Sequence, residues 1–223
     1  MSMELMVWRA DGPVTRERAA AFYRAARGAA PATAQTTAES TGSAGPAEST
    51  GDAGLVAAAG HAGSAEVAAF AKELPGHATA LAGHALVTMA PEEVDDVSNA
   101  AFSLARQYGL VCYDPQRDLV HNLGPLGVDP ETQLHTGDGM MVVNPDLGLV
   151  RDVLATLSPQ NPFAVLVTFG RHFIQVSPGY ELEYKEGTLR TTLVTRLEEV
   201  QRAFDEYARG ERGFLDRFTW VAG

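Results

Sequence analysis

The stretch from Phe163 to Tyr207 limits the possible folds most, because one pattern runs through it almost without interruption. Phe163, Val165, Val167 and Phe169 alternate with Ala164, Leu166 and Thr168, which predicts a strand apolar on both faces. After Gly170, Arg171–Val176 predicts a second strand, and Ser177-Pro178-Gly179 a turn. Tyr180, Leu182 and Tyr184 then alternate with Glu181 and Glu183, so the aromatic and Leu side chains should face inward and the carboxylates water. Glu186-Gly187 closes a hairpin onto a return strand carrying Leu189, Thr191 and Leu193. Thr195-Arg196-Leu197-Glu198 has the spacing of a capping box, in which hydroxyl and carboxylate satisfy the first free backbone donors of a helix. Leu197, Val200, Phe204 and Tyr207 share one face of that helix. A meander covered by one helix is the expected core of the C-terminal part.

Ahead of it, Met3–Trp8 predicts a strand and Val14–Arg27 a helix with Ala19, Phe22, Tyr23 and Ala26 on one side. From Gly28 to Gly54 no large apolar side chain occurs, and Ala38–Gly45 returns nine positions later as Ala47–Gly54. Such a segment buries too little to offset its ordering entropy, so a disordered insertion is expected at 28–54. Ser64 is a candidate N-cap for a helix through Val67, Phe70 and Leu74, stopped by Pro75-Gly76. His84–Met89 predicts a strand, and Pro91 opens a helix whose Val94, Val97, Ala101, Leu104 and Tyr108 face inward, with Gly109 as its stop. Leu110–Tyr113 and Leu119–Leu123 should pair as a hairpin, and Gly124–Gly139 reads as a loop. A short strand at Met140–Val143 and a helix at Leu147–Leu157 lead into the meander. The expected class is α+β, with a split-βαβ-like part over 1–123, a loop or linker over 124–139 and an antiparallel sheet with a helix over 140–223. The two sheets joining into one is the alternative.

The formal charge of −11, from 17 basic and 28 acidic residues, disfavours nucleic acid and anionic lipid, both of which need a basic footprint. It favours encounter with a basic partner. Cys112 is the only cysteine, so no intramolecular disulfide forms and a reducing compartment fits. No basic segment followed by an apolar run opens the chain, and no run of about 18 apolar residues occurs. A cytoplasmic protein without membrane partner is expected.

Candidates for chemistry are few. Cys112 sits in Leu-Val-Cys-Tyr, a strand pattern that predicts a buried, inert thiol rather than a nucleophile. The six histidines never take metal-ligand spacing, and no phosphate loop, dinucleotide fingerprint or nucleophile elbow occurs, so neither metal nor cofactor is expected. The His135-Thr136-Gly137-Asp138-Gly139 loop combines a titratable ring and a carboxylate among glycines. Glu181 and Glu183 on one strand face are candidates for contact with a basic partner. Phe214, Phe218 and Trp220 form an aromatic tail that serves either as a cover for the open end of the core or as a binding anchor.

Two stretches carry resemblances. Leu5–Trp8 with Tyr108-Gly109-Leu110-Val111-Cys112-Tyr113-Asp114-Pro115-Gln116 resembles a group of uncharacterised actinobacterial proteins. Phe173–Val176, Glu181–Tyr184, the helix end Tyr207–Gly210 and Trp220 resemble immunity-type proteins of bacterial polymorphic toxin systems. The second resemblance implies an intracellular protein that neutralises a cognate toxin by binding it, with Glu181, Glu183, Phe214, Phe218 and Trp220 as the surface to test. The alternative is a small enzyme or ligand-binding protein with its site near the His135–Asp138 loop or Cys112.

Overall fold

The computed structural model describes residues 2–28, 64–123 and 131–223. The low-complexity insertion therefore lies, apart from Gly28, outside the described residues, as does the loop over 124–130. The class is α+β, built on two antiparallel sheets.

β1 (Met3–Trp8) is the middle strand of the first sheet, whose order is β2-β3-β1-β4-β5. Its alternation sends Leu5 and Val7 into the main core, while Met6 and Trp8 enter a smaller core on the opposite face. α1 (Arg16–Gly28) closes that smaller core with Ala19, Phe22, Tyr23 and Ala26, and the Trp8 and Phe22 rings meet edge-on at 5.3 Å. On the main-core side, α2 (Ala65–Glu73) starts where the Ser64 side chain accepts the Val67 N–H at 3.4 Å. Beyond its end the chain turns through Gly76, whose φ of +84° suits glycine.

β2 (Ala78–Leu81) and β3 (His84–Met89) form a hairpin whose first strand was not expected. Ala-Thr-Ala-Leu offers little apolar contrast, and only its pairing with β3 makes it a strand. β3 runs antiparallel to β1, as does β4 (Val111–Asp114), which pairs in turn with β5 (Leu119–His121). Within the expected class, the first sheet thus lacks the parallel pair of a split-βαβ unit, because the additional β2 reverses the chain before β3 reaches β1. Between them a 3-10 turn at Pro91–Glu93 leads into α3 (Val94–Gln107), whose deepest side chains include Ala101, Phe102 and Ala105.

The second sheet has the order β12-β11-β10-β9-β8-β6-β7. β6 (Gln133–Thr136) falls where a loop was expected: it pairs with β7 (Met141–Val143) on one side and β8 (Ala164–Thr168) on the other. Leu134 is its single large apolar residue, too little to show a period among the Gly, Pro and Asp around it. β9 (His172–Ser177), β10 (Glu181–Glu186) and β11 (Thr188–Leu193) continue the meander, and β12 (Val221–Ala222) adds a short edge.

α4 (Leu147–Leu154) begins at Asp146, whose side chain accepts the Leu149 N–H at 3.0 Å and the Asn122 N–H at 3.0 Å, fastening the helix to the end of β5. α5 (Leu197–Ala208) buries Val200, Ala203, Phe204 and Tyr207 against Leu166, Ile174, Leu182 and Tyr184. The expected capping box is not formed. The N-cap is Arg196, which makes no side-chain cap bond and instead reaches Glu199 at 2.6 Å. α6 (Phe214–Arg217) completes the described elements. The main core is continuous across the boundary expected near 124–139: Leu5, Phe70 and Cys112 belong to the same cluster as Leu134, Leu166 and Phe204. Among the described residues no helix is long and apolar enough to cross a membrane.

Candidate functional site

Strand register determines which side chains share the outer face of the second sheet. One row crosses it as Met141, His135, Val165, Gln175, Glu183, Thr191 and Val221. The next row runs Val143, Gln133, Val167, Phe173, Lys185 and Leu189. Glu181 and Leu193, paired directly, lie on the other side of the first row. The opposite side chains, Leu134, Leu166, Ile174, Val176, Leu182 and Tyr184, fill the core. None of Val165, Val167, Phe173 or Leu189 belongs to either core cluster.

The strand read as apolar on both faces is deeply packed on one face and only partly screened on the other, where Val165 is 8% exposed and Val167 half-buried. Its Ala164 and Leu166 enter the core, whereas Val165 and Val167 belong to the two outer rows. Leu193 and Val221 keep 71% and 64% of their surface exposed, and Met141 and Val143 are exposed too. Of the large apolar side chains exposed among the described residues, only Leu81 lies away from this sheet. At the tip of the β8–β9 hairpin, Phe169 is 72% exposed and has a φ of +51°, followed by Gly170 at +65°. A bulky aromatic residue in the left-handed region is uncommon and costs free energy that Asn or Gly would avoid.

Glu181 and Glu183 lie on this outer face, and Glu183 accepts a bond from Gln175 at 3.3 Å. Lys185 is the cation beside them, and partial burial holds the His135 ring below its ordinary pKa, hence neutral at pH 7. The aromatic tail is placed differently. Phe214 is fully buried, packed edge-on against Tyr184 at 5.2 Å, and Phe218 and Trp220 are half-buried against the core. Arg212 anchors that tail, bonding Glu186 at 2.9 Å and lying 4.9 Å over the Tyr207 ring. The geometry matches a tail that covers the end of the core.

A second feature lies between the sheets. A cavity of about 200 Å³ is bounded by Leu119, Met140 and Val153 and by a set of polar side chains. Arg117, on the β4–β5 turn, donates from Nε to Asp138 at 2.7 Å, from Nη1 to Asp114 at 2.9 Å and from Nη2 to the Asp138 carbonyl at 3.3 Å. Burial works to raise the Asp138 carboxyl, but Arg117 and the Thr136 hydroxyl outweigh it and hold the carboxyl below the usual range. On the far wall the Asn161 amide donates to Thr156 Oγ1 at 3.2 Å, and its carbonyl oxygen accepts the Gly137 N–H at 3.0 Å. Gly137 has no room for more: a Cβ there would meet the Pro162 ring at 2.3 Å. The turn after β6 is thus pressed against the opposite wall.

The His135–Asp138 loop is divided by this arrangement. His135 lies in the outer row, while Thr136 and Asp138 line the cavity. Cys112 is fully buried in the main core, and burial followed by the nearby Asp114 charge raises its thiol pKa well above the ordinary value. Its thiolate is suppressed. Among the described residues no three His, Cys, Asp or Glu side chains are grouped to hold a metal ion. Arg117, Thr156, Ser158, Gln160 and Asn161 were not anticipated. Asp114-x-x-Arg117 and Thr136-x-Asp138 were the traces of the cavity within the sequence, and each alone is an ordinary turn pattern. Searches against protein-family models, curated proteins and solved structures find no match for this chain.

Proposed function

We propose that this chain is a binding protein that docks a basic protein partner on the outer face of its seven-stranded sheet, in the manner of an immunity protein that neutralises a toxin. The observation that carries this reading is the apolar surface left on the outer face of the sheet. On this face Val167 and Phe173 stay half-exposed outside both core clusters, and Leu193, Val221, Met141 and Val143 are exposed along its edges. Six interstrand spacings of about 4.8 Å make the face about 29 Å wide, the span of one side of a standard interface of about 800 Å². The net charge of −11 supplies long-range attraction for a basic partner, and Glu181 and Glu183 place two carboxylates on the docking face. The resemblance of Phe173–Val176 and Glu181–Tyr184 to immunity-type proteins points the same way.

The test is a binding titration of wild type and the double variant Glu181→Lys, Glu183→Lys against the partner captured by the wild-type chain. Both carboxylates project from the sheet without an ion pair among the described residues, so the variant should melt with wild type. At low ionic strength its association rate should fall by about tenfold or more, and the gap should narrow at high salt. Equal association rates at low salt would take this face out of the interface.

A further inference from the structure

The cavity between the sheets is a separate feature from the outer face, and it opens beside the turn between β6 and β7. We propose that it binds one small, neutral, polyhydroxylated molecule of the size of a single sugar or cyclitol.

Size comes first. A volume of about 200 Å³ is the space of about seven liquid waters, below the range of about 300–1,000 Å³ typical of drug-sized ligands. The lining comes second. Leu119, Met140 and Val153 present an apolar surface suited to the C–H face of a ring. Around it stand the Thr156, Ser158, Gln160 and Asn161 side chains, too polar a wall for a hydrocarbon to replace water against. Charge decides the class. Arg117 and Asp138 line the same wall, with Asp114 bonded to Arg117 from behind. An anion entering the cavity meets Asp138, and a cation meets Arg117.

A hydroxyl both donates and accepts, so a pair of neighbouring hydroxyls matches a fixed donor beside a fixed acceptor. Among the described residues Arg117 spends three of its five N–H groups on the two aspartates and keeps two, and the Asp138 carboxylate keeps acceptor capacity. Both groups are held in place before any ligand arrives, which lowers the ordering cost of binding. Asn161, buried and bonded to Gly137 and Thr156, fixes the opposite wall in the same way.

The experiment follows backbone amide shifts of the labelled full-length chain during titration with D-glucose, D-ribose and myo-inositol. Glucosamine and gluconate are the charged controls on the same scaffold. A ligand this small should bind with a dissociation constant of about 1 mM, so titration to about 50 mM reaches saturation. At least one neutral compound should give saturable shifts confined to residues 136–140 and 156–161, with weaker effects from both charged controls. Gln160 is exposed at the mouth, so Gln160→Trp blocks entry without disturbing the core, and the shifts should vanish in that variant. No saturable shift from any neutral compound, shifts that persist in a folded Gln160→Trp, or tighter binding of a charged control would each overturn the proposal.

Discussion

Replacing Arg117 by Met should destabilise the protein by about 3–5 kcal/mol, the cost of leaving a buried charge without its partner. Asp114 is fully buried, and the guanidinium is its only cationic neighbour within ion-pair distance among the described residues. The Gln116 and Arg117 backbone N–H groups, at 2.9 and 3.1 Å, satisfy one carboxylate oxygen and leave the other to Arg117 Nη1. Asp138 loses the same guanidinium but is partly exposed, so water compensates it. The loss therefore resides mainly at Asp114. Adding Asp114→Asn to the Met variant removes the stranded charge while keeping an acceptor for the turn, and should recover a large part of the stability. Urea midpoints of wild type, single and double variants measure this. A loss below about 1 kcal/mol for Arg117→Met would show that the pair contributes little.

Acid should weaken the fold through His121. The ring stacks on Phe102 at 3.8 Å and 15°, is buried, and neither of its nitrogens has a hydrogen-bond partner among the described residues. Burial, with a smaller contribution from the Arg117 charge, lowers its pKa from 6.5 to about 3. The folded state thus keeps the ring neutral while the unfolded chain takes up a proton near pH 6.5. This stability is complete above pH 6.5 and is lost progressively as pH falls towards 3. Between pH 7 and pH 4 the loss from this one ring is about 3 kcal/mol. Carboxylates titrate over the same range, so the comparison is with His121→Phe, which keeps the stack and cannot protonate. Its stability should fall by about 3 kcal/mol less than that of wild type across that interval. Parallel pH profiles for the two proteins would remove His121 as the cause.

These two residues also mark the limit of what the sequence disclosed. Alternation exposed β8 to β11, because a sheet with a buried face repeats its apolar residues every second position. The same logic placed Glu181 and Glu183 on the outer face. It left β2 and β6 unread, since Ala78–Leu81 and Gln133–Thr136 carry almost no periodic apolar surface and become strands through their neighbours. The cap of α5 was misplaced because Thr195 and Glu198 had the right spacing one residue too early. The Arg117–Asp138 pair joins turns of different sheets, and no spacing rule reaches across such a gap. The outer face was legible in part. Val165 and Val167 showed that β8 is apolar on both sides, but nothing in the chain tells which side is the more deeply packed.

Cross-saturation within the complex reads which face of the sheet meets the partner. With the chain methyl-labelled and the partner irradiated, attenuation should concentrate on Val143, Val167, Leu189 and Leu193, which share the outer face of one sheet. Attenuation at Leu81 or at Leu215 of the aromatic tail, with the sheet methyls unaffected, would contradict docking on this face.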